Sequence, residues 1–216
     1  MRQLDEISRR QRGVVTRQQA LKAGISSDVL RGRVMTGRWQ RLMPATYATF
    51  PGRPPPAALR WAAVLHAGTG AMLCHRSAAE EAGLILEEAA QEAGTLTMGC
   101  RRGPVHVLIP ERRRIRPVPG IVVHRSRHAS IRRHPRRRPP QTRLEETVLD
   151  LASTAADVEE AMHWITVACA RRLTTPDLIA EALTRRSRMA RREAVTTLLA
   201  HATTGHTPAL PDWPAP

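Results

Sequence analysis

The sequence predicts an α+β protein: an N-terminal helical segment closed by a short β-wing, then a small mixed α/β domain whose C-terminal part is helical. Three observations lead there. Over residues 1–50, helical patterning is interrupted at Gly13, Gly24 and Gly37, each stop but the last followed within three residues by a Ser or Thr suited to cap a new helix. "VHVLIP" and "GIVVHRS" are β-branched, apolar runs bounded by Pro and Gly. From Leu144 onward, apolar residues recur at helical spacing.

In the first segment Leu4 and Ile7 share a face, and Gly13 ends the run. Thr16 is an N-cap, with Gln19 three residues on to complete a capping box. Ala20, Leu21 and Ala23 give the next helix its apolar side before Gly24. Ile25 is then expected to be buried beside Ser26 or Ser27 as a fresh cap. A third helix runs to about Thr36, with Leu30 and Val34 as i,i+4 core contacts. Helix, stop, cap, helix is the rhythm of a helix-turn-helix, in which the helix from Ser27 would enter a major groove. The same pattern also describes three ordinary surface helices. "GRWQRLMPATYATF" then predicts two short strands joined near Pro44, with Trp39, Leu42 and Tyr47 inward and Arg38, Gln40 and Arg41 outward. Trp39 reads as a core anchor in preference to a base-stacking platform.

A proline-rich connector, PGRPPP, precedes a helix over Ala57–His66 and a further helix over about Ser77–Gly83, with Ser77 as cap and Glu80 at N3. "VHVLIP" and "GIVVHRS" suggest an antiparallel pair. The segment from Glu111 to Arg143 carries twelve arginines and one acid, Glu111. It reads either as a solvated basic loop or as a second phosphate-binding surface. Leu144, Val148 and Leu151 form a helical stripe, Thr175-Pro176 is strong start grammar, and a last helix lies around Met189–Ala200. The expected domains are 1–50, a winged helix-turn-helix; 57–205, the α+β domain with its basic loop at 111–143; and a flexible tail at 206–216.

The charge bounds the partners. Lys plus Arg number 34 against 19 acids, a net +15, and Lys22 is the only lysine. Such a field favours anionic partners, nucleic acid first. Cys74, Cys100 and Cys169 have neither disulfide-framework nor zinc spacing. No apolar run reaches membrane-spanning length, so a cytoplasmic location with no membrane partner is expected.

"GVVTRQQALKAGISSDVLRGRVMTGRWQRLMPATYA" resembles the N-terminal winged helix of AbiEi-type antitoxins of bacterial type IV toxin–antitoxin systems. The shared elements are Val15-Thr16, Ala23-Gly24-Ile25-Ser26, Gly37-Arg38-Trp39 and Arg41-Leu42. The family usually has a Gly in the next element, where this chain has Ala45 or Thr46. The order of later pieces is similar too: "AAVLHAGTGAMLCHRSAAEEAGL", the two strands, "TRLEETVLDLA" and "ARRLTTPDLIAEAL", to roughly residue 200. The resemblance implies a winged helix that binds operator DNA and represses its own operon, with a cognate toxin as functional partner. Some similar proteins carry a further C-terminal nuclease-like domain, which this chain is expected to lack.

The candidate DNA contacts are Thr16, Arg17, Ser26, Ser27, Asp28, Arg31, Arg33, Arg38 and Arg41, with Arg112, Arg113, Arg114, Arg125 and Arg127 as auxiliary phosphate contacts. No catalytic residue, metal site or cofactor is expected. Glu80 is explained by a cap, and Glu145, Glu146 and Asp150 by solvation or salt bridges in preference to a metal cluster. The expected function is a sequence-specific DNA-binding regulator of antitoxin type. The alternatives are a protein-interaction module or a non-catalytic remnant of a nuclease-domain protein.

Overall fold

The computed structural model describes residues 2–86 and 103–203. The Glu- and Ala-rich stretch beyond residue 86, Cys100, and the expected tail at 206–216 lie outside the described residues. The fold is α+β. The described chain divides into two compact units, 2–73 with 103–141, and 74–86 with 142–203. The Pro51–Pro56 connector therefore lies within the first unit.

The first unit begins α1 (Arg2–Arg10), β1 (Val14–Thr16), α2 (Arg17–Lys22), α3 (Ser27–Met35), β2 (Gln40–Met43) and β3 (Thr46–Ala48). The three strands form an antiparallel sheet in the order β1-β3-β2. This is the element order and sheet of a winged helix. Its core is Leu4, Val15, Ala20, Ile25, Leu30 and Trp39, with Ile7, Val34 and Tyr47 packed against it. Each fully buried Val, Leu or Ile side chain in such a core contributes roughly 1.5–3 kcal/mol. Gly13 stands at φ +80°, and a Cβ there would lie 2.5 Å from Cε1 of the Phe50 ring. Its carbonyl accepts from the Thr49 amide at 2.8 Å, so the end of the wing is fastened to the start of the sheet.

Leu42 departs from the expected alternation. Arg41 pairs with Tyr47 and Met43 with Thr46, which leaves Leu42 as the extra residue of a bulge. Leu42 is half-buried and Met43 takes the buried position instead.

The remainder of the first unit is α4 (Pro56–Ala67), β4 (Met72–Leu73), β5 (Val105–Pro110), β6 (Ile121–Ser126) and α6 (Ala129–Arg132). α4 packs against β1, β2 and β3 and also against β4 and β5. β5 is central in the order β4-β5-β6, consistent with its buried run Val107, Leu108 and Ile109. β5 and β6 pair parallel, from Val105↔Ile121 to Pro110↔Ser126, not as the expected antiparallel pair. The connection 111–120 is long enough to return the chain to the starting edge, and the antiparallel neighbour of β5 is β4.

The second unit is helical: α5 (His75–Glu81), α7 (Leu144–Thr154), α8 (Val158–Ala170), α9 (Pro176–Thr184) and α10 (Arg192–Thr203). Its core joins Leu84, Val148, Leu149, Ile165, Ile179 and Leu199. Thr175 caps α9 from N-cap with Pro176 at N1, as its grammar predicts. Ser77 is not the cap of α5. The helix starts earlier, at His75, whose φ of 48° turns the extended Cys74 directly into it, and Ser77 is buried inside. Glu80 pairs with Arg76 one turn back, at 3.1 Å.

A buried ionic network ties α7 to the end of α9. The Arg186 guanidinium donates to Glu146 Oε2 at 2.7 Å, to the Glu146 carbonyl at 2.8 Å and to Asp150 Oδ1 at 2.9 Å. Asp150 Oδ2 lies 3.7 Å from His75 Nδ1. Glu145 accepts from the Thr174 hydroxyl at 3.2 Å. The acids of "RLEETVLD" are thus salt-bridged and hydrogen-bonded within the unit.

Candidate nucleic-acid interface

The face formed by α2, α3 and the wing is built by caps. The Thr16 hydroxyl accepts from the Gln19 amide at 3.1 Å, and Gln19 Oε1 accepts from the Thr16 amide at 2.8 Å, a complete capping box. The Ser26 hydroxyl accepts from the Val29 amide at 3.2 Å, which makes Ser27 the first residue of α3. Replacing either cap by Ala would cost about 1 kcal/mol.

Arg17 joins three elements. Its backbone N–H donates to the Ala45 carbonyl at 2.8 Å, and its guanidinium donates to the Ser27 hydroxyl at 2.8 Å. The first turn of α2, the first residue of α3 and the tip of the wing are therefore held together, with Arg17 itself exposed.

The outer face of α3 carries Asp28, Val29, Arg31 and Met35, all exposed, with Gly32 among them. Arg31 Nη1 donates to Asp28 Oδ1 at 3.2 Å. Both side chains are largely in water, so the pair contributes little to stability and Arg31 can leave it for a stronger partner. Arg38 and Arg41 are exposed at the start of the wing and on β2. Arg33 is placed differently. Its guanidinium carbon lies 5.0 Å from the centroid of the Trp39 ring, a cation–π contact that covers the core anchor.

The wing tip is the two-residue turn Pro44-Ala45, and Ala45, not a glycine, adopts φ +56° there. The left-handed region costs an L-residue roughly 1–2 kcal/mol, of which the extra backbone entropy lost by Gly offsets about half. Ala45→Gly is therefore expected to stabilise the protein by about 0.5–1 kcal/mol. Thermal unfolding followed by circular dichroism checks this: a lowered midpoint would contradict the strain.

The auxiliary arginines do not form one loop. Residues 111–143 contain β6 and α6 between their turns. Arg113 is diverted: its Nε donates to the Ala67 carbonyl at 2.7 Å, at the C-terminus of α4, where a cation is favourable. A Cβ at Gly68 would lie 2.3 Å from Arg113 Nη2, and Gly68 itself has φ +81°. Arg112, Arg114, Arg125 and Arg127 are exposed. The run "RRHPRRRPP" is fastened at its neck, where the His134 amide donates to the Gln141 carbonyl at 2.9 Å. His134 Nδ1 accepts from the Arg136 and Arg137 amides at 3.2 and 3.1 Å, so the run folds around the imidazole and keeps Arg136, Arg137 and Arg138 exposed. These three are not among the auxiliary arginines expected from the sequence, although the density of arginines there is its own signal.

His106 Nδ1 and His124 Nε2 lie 3.0 Å apart across β5 and β6, with the rings within 16° of parallel and their centroids 5.3 Å apart. A short N···N distance with widely separated centroids describes an edge-on hydrogen bond, not a face-to-face stack. Cys169 is half-buried, and burial pushes its thiol pKa up, away from thiolate chemistry. No helix among the described residues is long and apolar enough to cross a membrane.

No protein-family model and no curated protein matches the chain. Among solved structures, the chain is similar in fold to the Rv2827c protein from Mycobacterium tuberculosis, with a TM-score of 0.53 over 92% of this chain and 75% of that one, at 17% sequence identity.

Proposed function

We propose that this chain is a sequence-specific, duplex-DNA-binding transcriptional regulator that contacts DNA through α3 and the adjoining wing, and that it acts as an autorepressing antitoxin in the cytoplasm. The observation that carries the reading is the outer face of α3: a capped helix whose exposed face carries Arg31, flanked by Arg17, Arg38 and Arg41 on a winged-helix scaffold. In this reading Arg31 reaches base edges, while Arg17, Arg38 and Arg41 hold phosphates. The net charge of +15 and the exposed arginines at 112, 114, 125, 127 and 136–138 add sequence-independent attraction. The antitoxin role rests on the family resemblance, with a cognate toxin as functional partner. No catalytic step, metal or cofactor is part of the proposal.

Binding to a duplex from the chain's own promoter, titrated against salt, tests it. Arg41→Ala should weaken binding to all sequences and lower the salt slope by about one, and Arg31→Ala should cost roughly 1–3 kcal/mol and relax the preference for one base pair. Failure of the wild-type chain to shift any duplex at low salt would exclude the reading. A cotranscribed nucleotidyltransferase-like gene whose toxicity the chain relieves would support the antitoxin role; cleavage of DNA by the chain with Mg²⁺ would contradict its non-enzymatic character.

A further inference from the structure

Three residues of α3 are out of keeping with a helix face that meets only water. Met35, at 80% exposure, is the most exposed large apolar side chain among the described residues, and Val29 is 48% exposed. Gly32 lies between them, so that Val29, Gly32 and Met35 follow one another at i, i+3 and i+6 along a single row of the outer face. Gly32 has no reason within the chain to be glycine. It is helical, its φ is not positive, and a Cβ built on it would meet nothing within 4 Å. An alanine would fit and favour the helix.

The row is apolar, gapped at its centre and bordered by charge. Arg31 stands one turn before Met35 on the same helix, and Arg17 and Arg38 lie at the two ends of the helix-turn-helix segment. A protein partner covering Val29 and Met35 would have to accommodate this cationic border. Duplex DNA matches it: phosphates meet the arginines, and the major groove offers one apolar feature, the 5-methyl group of thymine. A missing Cβ at the centre of the row lets the helix backbone approach the groove floor.

We infer that α3 reads thymine methyl groups, through Val29 and Met35, with Gly32 setting the depth of approach. The inference rests on the proposed DNA-binding function and names the base feature that this site selects.

The test uses the full chain and the duplex it enriches from a random library, prepared with thymidine and again with deoxyuridine, which lacks only the methyl. The enriched site should contain A·T pairs, and the wild-type chain should bind its deoxyuridine form about fourfold to fifteenfold less tightly, about fourfold for each contacted methyl. The double variant Val29→Ser, Met35→Gln changes exposed side chains only. It should bind the thymidine duplex more weakly and treat both duplexes alike. Equal affinity of the wild-type chain for both duplexes, an enriched site without A·T pairs, or a double variant that still discriminates would each overturn the inference and leave the DNA-binding function standing. Failure to enrich or bind any duplex at low salt would instead overturn that function, and the inference with it.

Discussion

Arg186→Ala is expected to destabilise the helical unit by about 3–5 kcal/mol. Arg186 brings its cation to Glu146 and Asp150, which are only 3% and 4% exposed. Removing one member of a buried ionic group costs far more than the group's net contribution, because desolvated charge is left behind. A second comparison separates charge from packing: Arg186→Met combined with Glu146→Gln and Asp150→Asn should recover a substantial part of the loss. Urea unfolding of the single and the triple variant gives both results. A loss below 1 kcal/mol for the single variant would show that the network is not holding α7 to α9.

Trp39→Ala is expected to cost the winged helix about 3–5 kcal/mol. The ring is 6% exposed in contact with the cluster of Leu4, Val15, Ala20, Ile25 and Leu30, and its loss leaves a cavity that surrounding backbone cannot fill. It also removes the platform beneath Arg33. The expected signature is loss of amide protection in α1–α3 while the amides of α7–α9 keep theirs. Trp39→Leu should fall between the two, since it restores volume but not the ring face. Unchanged protection in α1–α3 would refute the core-anchor role.

Much of the winged helix was legible because its signals are local. A capping box spans four residues, and Thr16 with Gln19 forms one; Ser26, Leu30 and Trp39 take the roles that spacing assigns them. Partners distant in sequence were not legible. Nothing near Arg113 points to the α4 carbonyl it caps, and Arg33 differs from Arg31 only by its angle on the helix, which turns it onto Trp39. The direction of β6 depends on the path of 111–120, not on the strand's own residues. Ser77 has the composition of a cap, but a left-handed His75 starts the helix two residues before it. A salt bridge was one of the roles expected of Asp150, while the identity of its partner Arg186, 36 residues on, came only from the packing at the end of α9.

The discontinuous first unit has a consequence for synthesis. α4 ends at Ala67, but the central strand it packs against, β5, runs from Val105 to Pro110. At translation rates of about 5–20 residues per second, the covering strand emerges roughly 2–9 s after the helix. During that interval the winged helix can already close around Trp39, while the apolar side of α4 facing β5 waits for its strand. The ribosome-bound chain is thus a folded N-terminal head with a sticky neck, and holdase chaperones would have their best grip there.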